Sequence, residues 1–331
     1  GGGSAAADAA AVAVVPVPFV AAEGAVIDGR YELQRPIGKG SFGVVWRARH
    51  RSLETDVAVK LLNTDDVAGD GTDRLDDVER KNARATFDER SDELRLEGVR
   101  AARVRHDHAV RVLDVGALAD GTTYLVMELI NGPTVEELLR QEGVLSIKRA
   151  VEILLPVAEV LAFAHSEGVI HRDVKPANVM LHKGPSGQVV KVLDFGVAKL
   201  VDVGVELPTG HMSGEGDISA RVVAGSPAYI APERLRGVRY DGRADVYAMG
   251  VMLYELLTGQ VPFLSHDGDL MKVAVMHLKK KPEAPSVRNP ALPPGIDPLV
   301  LGLLEKDPDA RPTASQAQEI LRDLLDFCGP G

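Results

Sequence analysis

The spacing of hydrophobic and polar positions changes once along this chain. From Tyr31 to about Leu62 the apolar residues fall in short alternating runs, YELQRPIG, GVVWRARH and TDVAVKLL, separated by Gly-rich or polar turns. Alternation of this kind predicts strands, and with no helical stretch between them the three runs predict an antiparallel meander. An acidic, Gly-containing segment from Asn63 to Asp77 reads as an exposed loop, and from about Val78 to Arg105 the chain becomes charged and helix-favouring. Two further strands are predicted at AVRVLDVGAL and TTYLVMELI, with Ala119-Asp120-Gly121 as the turn between them.

After Asn131-Gly132 the period becomes helical. TVEELLRQ predicts a short helix opened by Thr134, and Ile147–Ser166 a long apolar one with a kink at Pro156. Further helices are predicted at Ala244–Thr258, Asp269–Leu278, Pro298–Glu305 and Thr313–Phe327, the last opened by the capping-box pair Thr313 and Gln316. The rest of this half reads as loop. A strand-rich portion followed by a helix-rich one predicts two lobes joined near Glu128–Gly132, without internal repeats.

Composition narrows the partners. The 331 residues carry 38 Lys+Arg against 48 Asp+Glu, a formal charge of −10, which argues against nucleic acid as a ligand. It leaves room for one nucleotide, because a few local donors suffice. Aromatic residues are only 4 %, so Leu, Val and Ala must build most of the core. The single cysteine, Cys328, precludes an internal disulfide and fits a reducing, cytoplasmic compartment. No apolar run reaches the ~18–20 residues of a membrane span. The nearest candidate, Ala9–Ala22, is broken by Pro16 and Pro18 and lacks a basic flank. Residues 1–27 are expected to form a flexible leader whose first four residues resemble a cloning remnant.

Candidate chemistry begins at Gly38-Lys39-Gly40-Ser41-Phe42-Gly43. Glycines at this spacing let backbone N–H groups approach phosphate oxygens. In dinucleotide-binding units the same spacing opens a helix, but here Val44-Val45-Trp46 continues as a strand, so that reading fails. Taken alone, the loop is equally a hairpin turn. Lys60 ends the apolar run Val57-Ala58-Val59, which by itself fits a lysine stretched along an edge. Together the two features favour a phosphate site.

The most specific stretch is His171-Arg172-Asp173-Val174-Lys175-Pro176-Ala177-Asn178, followed by Asp194-Phe195-Gly196 and Ala231-Pro232-Glu233. It resembles the catalytic block of protein kinases, and the likeness runs over nearly all of Tyr31 to Leu325, closest to bacterial Ser/Thr kinases of eukaryotic (Hanks) type. The resemblance implies an α+β, bilobal kinase domain over residues 28–328. Its small lobe (28–128) would hold a five-stranded antiparallel sheet and one main helix. A hinge (129–132), a mostly helical large lobe (133–328) and a tail (329–331) would follow.

On that resemblance Asp173 would orient the substrate hydroxyl, Lys175 would neutralise the γ-phosphate, and Asn178 and Asp194 would hold Mg²⁺ or Mn²⁺. Lys60 would hold the α- and β-phosphates of ATP. Ile37 and the glycine loop would cover the nucleotide. Val45, Ala58 and Met180 would sandwich the adenine, with Met127 behind it and backbone groups of Glu128 and Ile130 beside it. Lys60 requires a carboxylate on the following helix. Glu79, Glu89, Glu93 and Glu97 are candidates by composition, and alignment back from His106-Asp107-His108-Ala109-Val110 favours Glu97 over Glu93. Gly98, beside it, is expected to loosen that helix.

Lys175-Pro176 resembles Ser/Thr rather than Tyr kinases. Ala177 stands where Arg-directed relatives carry an acidic residue, which argues against a simple Arg preference. Ser226 stands where the family usually has Thr, keeping a hydroxyl for Asp173 and Lys175. Asp245 resembles the aspartate that braces the catalytic loop, and Arg311 the arginine that pairs with Glu233. Arg172 and the polar stretch holding Thr209, Ser213 and Ser219 resemble kinases switched by loop phosphorylation, with Ser213 or Ser219 expected to autophosphorylate. The implied partners are protein substrates and, by resemblance alone, a second copy bound through the small lobe. A calcium-loop reading of Asp66–Asp77 fails because Ala68 and Asp77 fill ligand positions. Two other readings differ in kind. A pseudokinase scaffold is opposed by the presence together of Lys60, Glu97, Asp173, Asn178 and Asp194. A small-molecule phosphotransferase is opposed by Ala231-Pro232-Glu233 and the helices from Asp245 onward.

Overall fold

Alternation in the first third of the chain builds one sheet with two apolar faces. The computed structural model describes residues 19–40, 43–62, 98–184, 187–195 and 226–328. Strands β1 (Val26–Ile27), β2 (Tyr31–Gly40), β3 (Gly43–His50), β4 (Thr55–Leu62), β5 (Val112–Ala117) and β6 (Thr123–Glu128) pair antiparallel in the order β1-β2-β3-β4-β6-β5. One face packs Tyr31, Leu33, Trp46, Val59 and Tyr124. The other packs Ala58, Leu125 and Met127. Because side chains alternate along a strand, Lys60 shares the face of Ala58.

Five strands were expected in this sheet, and the described residues form six. The sixth, β1, is two residues long, too short to show alternation, and its register is set by pairing of Val26 with Glu32 and Ile27 with Tyr31. Ile27 is fully buried, and the Phe19 N–H donates to Asp120 Oδ2 at 2.5 Å. Residues 19–27, assigned to the leader, therefore lie against the sheet.

The helix expected up to Arg105 ends sooner, with residues 98–101 helical and a turn after them. Gly98 is buried, and a Cβ there would lie 2.9 Å and 3.1 Å from the two methyls of Val115 on β5. Its absence of side chain lets the helix approach the sheet, so the residue read as loosening the helix seats it. Gly98→Ala would gain about 1 kcal/mol of helix propensity. Crowding against a stiff β-branched neighbour costs about 1–3 kcal/mol. The variant is expected to unfold at lower urea concentration than the parent; a midpoint at or above the parent's would show that Val115 yields.

The second lobe is helical: α1 (Val135–Glu142), α2 (Ile147–Ser166), α3 (Pro232–Arg236), α4 (Arg243–Thr258), α5 (Leu270–Lys279), α6 (Pro285–Arg288), α7 (Asp297–Leu303) and α8 (Ala314–Phe327). Thr134 with Glu137 and Thr313 with Gln316 form full capping boxes at α1 and α8. Helix α4 has no polar face, and it is buried on all sides at the centre of this lobe. Helices α2 and α8 pack on each other, and both reach α4. A hairpin, β7 (Val179–Gly184) with β8 (Gly187–Val192), stands where the sequence was read as helix and loop. The run QVVKV in β8 is apolar enough for a strand, but it is five residues long and lies among helices.

Candidate active site

A cleft of about 850 Å³ opens between the sheet and the helical lobe. Its roof carries Ile37, Gly38 and Lys39 of β2 and Val45 of β3, and its back wall Ala58 and Met127. Glu128 and Ile130 line it at the hinge, and Met180 on β7 forms the floor. The strand β2 reaches Gly40, and Gly43 opens β3; Ser41 and Phe42 lie outside the described residues. The Glu128 N–H is already given to the Arg111 carbonyl at 3.0 Å, so a ligand can use only its carbonyl. The Glu128 carboxylate accepts from Arg111 N and from Lys191 Nζ, each at 2.9 Å, tying the hinge to β8.

Gly132 closes the hinge with φ +154°. A Cβ there would lie 1.9 Å from the Leu181 carbonyl oxygen, so only glycine lets the chain pass this close to β7. Backbone bonds from Leu181 to Pro133 and from Lys183 to Asn131, both 2.9 Å, hold that approach.

Lys60 is 2 % exposed, and its ammonium meets Asp194 Oδ2 at 2.7 Å. Asp194 has φ +59° and Arg172 φ +71°, a left-handed backbone that costs a side-chain-bearing residue energy unless its surroundings hold it. At Arg172 the holder is Asp245. Its carboxylate accepts the N–H of His171 at 2.8 Å and that of Arg172 at 2.7 Å. His165 Nε2 lies 2.8 Å from the same group. Burial pushes the Asp245 carboxyl up, but the bond to His165 and the His171 N–H outweigh it and keep it ionised, below the usual range.

His171 is locked as one neutral tautomer. Its Nε2–H donates to the Leu193 carbonyl at 2.7 Å, its Nδ1 accepts the Asp173 N–H at 3.2 Å, and its ring stacks edge-on to Phe195. Three contacts then place Asp173 and leave Oδ1 room for one more. Oδ1 accepts from Ser226 Oγ at 3.0 Å, and Oδ2 from Asn178 Nδ2 at 2.8 Å and Lys175 Nζ at 2.7 Å. Lys175 Nζ also donates to Ser226 Oγ at 2.7 Å. Burial raises the Asp173 carboxyl, yet the Lys175 charge and hydrogen bonds more than offset it, leaving it below its ordinary range.

Asn178 spends its amide N–H groups on the Asp173 carbonyl and carboxylate, which leaves its own carbonyl oxygen as a ligand. With Asp194 it lines the cleft and offers an all-oxygen donor pair that suits Mg²⁺ or Mn²⁺, whose remaining positions phosphates and water would fill. Among the described residues no group of three or more His, Cys, Asp or Glu gathers as a self-sufficient metal site.

Below the catalytic loop, Arg311 grips Glu233 with two bonds of 2.7 Å, and both side chains are buried. Arg172 Nε donates to the Tyr240 hydroxyl at 3.1 Å. Glu97, Gly196, Thr209, Ser213 and Ser219 lie outside the described residues.

The family model "Protein kinase domain" matches residues 31–321. The chain belongs to the protein kinase family. This kinase is 35 % identical over 297 residues to the serine/threonine-protein kinase pkn3 of Myxococcus xanthus, covering 89 % of this chain and 49 % of that protein. It is 35 % identical over 303 residues to the serine/threonine-protein kinase PknB of Mycolicibacterium smegmatis, covering 90 % and 43 %. The chain thus spans less than half the length of these curated relatives. The crystal structure of the Mycobacterium tuberculosis PknI kinase domain superposes with a TM-score of 0.66 at 25 % identity, covering 92 % of this kinase and 99 % of that chain. No helix among the described residues is long and apolar enough to cross a membrane.

Some residues of the site were missed from sequence. Val110 and Leu193 line the cleft with Val45, Ala58 and Met127. His165 supports Asp245 from the last turn of α2, where nothing in the apolar pattern marks it. The contact of Lys60 with Asp194 joins two residues assigned to separate phosphates and metal.

Proposed function

We propose that this domain transfers the γ-phosphoryl group of ATP to Ser or Thr hydroxyls of proteins. The observation that carries the reading is the Asp173 carboxylate, held anionic and aimed by Lys175, Asn178 and Ser226 in the cleft that also contains Lys60 and Asp194. ATP would place its adenine between Val45, Ala58 and Met180 and its α- and β-phosphates at Lys60. Asn178 and Asp194 would hold Mg²⁺ or Mn²⁺, which when bound spreads the negative charge of the phosphates. Asp173 accepts a hydrogen bond from the acceptor hydroxyl and directs its oxygen in line with the γ-phosphorus. As the new O–P bond forms and the bond to the β-phosphate oxygen breaks, the hydroxyl proton passes to Asp173 and Lys175 offsets charge on the moving group.

The same reading includes activation by autophosphorylation at Ser213 or Ser219 with Arg172 as the receiving cation. A cytoplasmic setting draws on the single cysteine, and a small-lobe homodimer draws on family resemblance alone. Incubation with casein and ATP radiolabelled at the γ-phosphorus, followed by phosphoamino-acid analysis, tests the central claim. Label is expected on Ser and Thr. Label on an aminoglycoside but on no protein would overturn the acceptor class, and no label at all would overturn the reaction.

A further inference from the structure

A polar chain outside the cleft, buried at two of its three groups, ends at His277, which faces the turn carrying Ser226 beside the catalytic carboxylate. Lys306 Nζ donates to the Tyr247 hydroxyl at 2.9 Å, and that hydroxyl lies 2.9 Å from His277 Nδ1. Tyr247 and His277 are both fully buried. An ammonium can only donate, so the Tyr247 O–H must point away from it, to His277 Nδ1. His277 is thereby fixed as the neutral tautomer with its proton on Nε2. Burial and the nearby Lys306 charge push its pKa down to about 3, which keeps it so. Nε2 faces the Ala228 backbone without reaching hydrogen-bond geometry.

Ala228 lies in the turn Pro227–Tyr229, on which both α4 and α5 pack, two residues after the Ser226 that bonds Asp173 and Lys175. We propose that Lys306, Tyr247 and His277 form a proton-ordered relay that positions the Ser226–Tyr229 turn for the protein acceptor. Lys306 is then a positioning residue that acts on the acceptor and leaves ATP binding untouched. The inference rests on the kinase reading above.

The groups facing the relay make it sensitive to pH. Lys306 sits 4.3 Å over the Phe263 ring, beside Arg311 and Arg236, with Glu305 as the nearby opposite charge. Arg311 itself lies 5.0 Å over the Tyr247 ring and is neutralised by Glu233. Burial, then the two guanidiniums, push the Lys306 ammonium down to about 8. The charged donor is therefore present below pH 8 and lost as pH rises through that value. Without it the hydroxyl of Tyr247 has no fixed direction, and the tautomer of His277 is no longer imposed.

The test is steady-state transfer from ATP to casein by the parent, Lys306→Met and Lys306→Arg proteins. Lys306→Met is expected to raise the casein KM about tenfold, the size of a lost hydrogen bond to a charged group, with the ATP KM unchanged. In the parent the casein KM should climb from about pH 7 to about pH 9 as the ammonium titrates, and Lys306→Arg should flatten that climb, since arginine keeps its charge. An equal change in both KM values, or a parent profile no steeper than that of Lys306→Arg, overturns the proposal. Should Lys306→Met fail to fold, the parent and Lys306→Arg profiles decide alone. The ¹³Cε resonance of Lys306 gives a reading free of activity: titration near 8 supports the relay, and titration near 10.5 overturns it. If the parent transfers no phosphate, the kinase reading and the acceptor half of this proposal fall together, and the resonance tells that failure from failure of the relay.

Discussion

Asp173→Asn lowers kcat for transfer to protein by about a hundredfold to ten-thousandfold, the usual contribution of a positioned base, while the KM for ATP changes little. At 1.36 kcal/mol per decade the loss is about 3–5 kcal/mol of transition-state stabilisation. The substitution isolates chemistry from architecture because the hydrogen bonds around this side chain are asymmetric. Oδ2 receives Asn178 and Lys175, and an amide oxygen can receive both in its place. The new amide nitrogen falls where Oδ1 accepted the Ser226 hydroxyl, and the serine oxygen can accept from it instead. The loop therefore keeps its shape, and what disappears is the negative charge that accepts a proton from the acceptor hydroxyl. Rapid-quench measurement of a single turnover, with thermal melting as the control for folding, checks this. Equal single-turnover rates would show that another group orients the hydroxyl. The acid limb of the parent profile should not come from Asp173 near pH 5. Its carboxyl lies below the ordinary range, so its charge is present above that range and is lost only in stronger acid.

The elements that position this carboxylate differ in how plainly the sequence announces them. The long helices were legible because α5 and α8 bury an apolar stripe and α2 and α4 are apolar over most of their length, and the observed α2, α4, α5 and α8 lie within a residue or so of the predicted spans. Thr134 and Thr313 were legible as caps because their partners Glu137 and Gln316 stand three residues on. The candidate site was readable as a set of residue types with a fixed spacing. The structure brings Lys60, Asp173, Lys175, Asn178 and Asp194 to one cleft.

What spacing could not disclose was which of these groups touch. The Lys60–Asp194 contact joins residues 134 positions apart. The supports of Asp245 come from the end of another helix. Gly98 was misread for a related reason: propensity is a local quantity, whereas its fit depends on Val115 across the sheet. Strand β1 and the β7–β8 hairpin escaped notice because short strands among other elements carry too few periods to count.

Arg311→Met is expected to cost the fold about 3–5 kcal/mol, because it strands a buried carboxylate. Glu233 is 2 % exposed, and its two oxygens have one guanidinium between them, each bond 2.7 Å long. The remaining three Arg311 donors are also in use, on the carbonyls of Glu305 and Arg243 at 2.7 Å and of Lys306 at 3.5 Å. One side chain thus joins α3, the start of α4 and the loop before α8. Removing it should lower Tm by roughly 6–20 °C in a calorimetric scan, given about 2–4 °C per kcal/mol for the larger single domains. Arg311→Lys should lie between, since an ammonium restores charge without the planar fork. Glu233→Gln combined with Arg311→Met should recover part of the loss, because most of the penalty belongs to the orphaned charge and not to the pair itself. Raising salt should narrow these differences little, since the pair lies out of reach of screening ions. A small Tm change in Arg311→Met, closed by salt, would mean that Glu233 reaches water. The pair would then be a surface contact, and α3, the start of α4 and the loop before α8 would have to be held together from elsewhere.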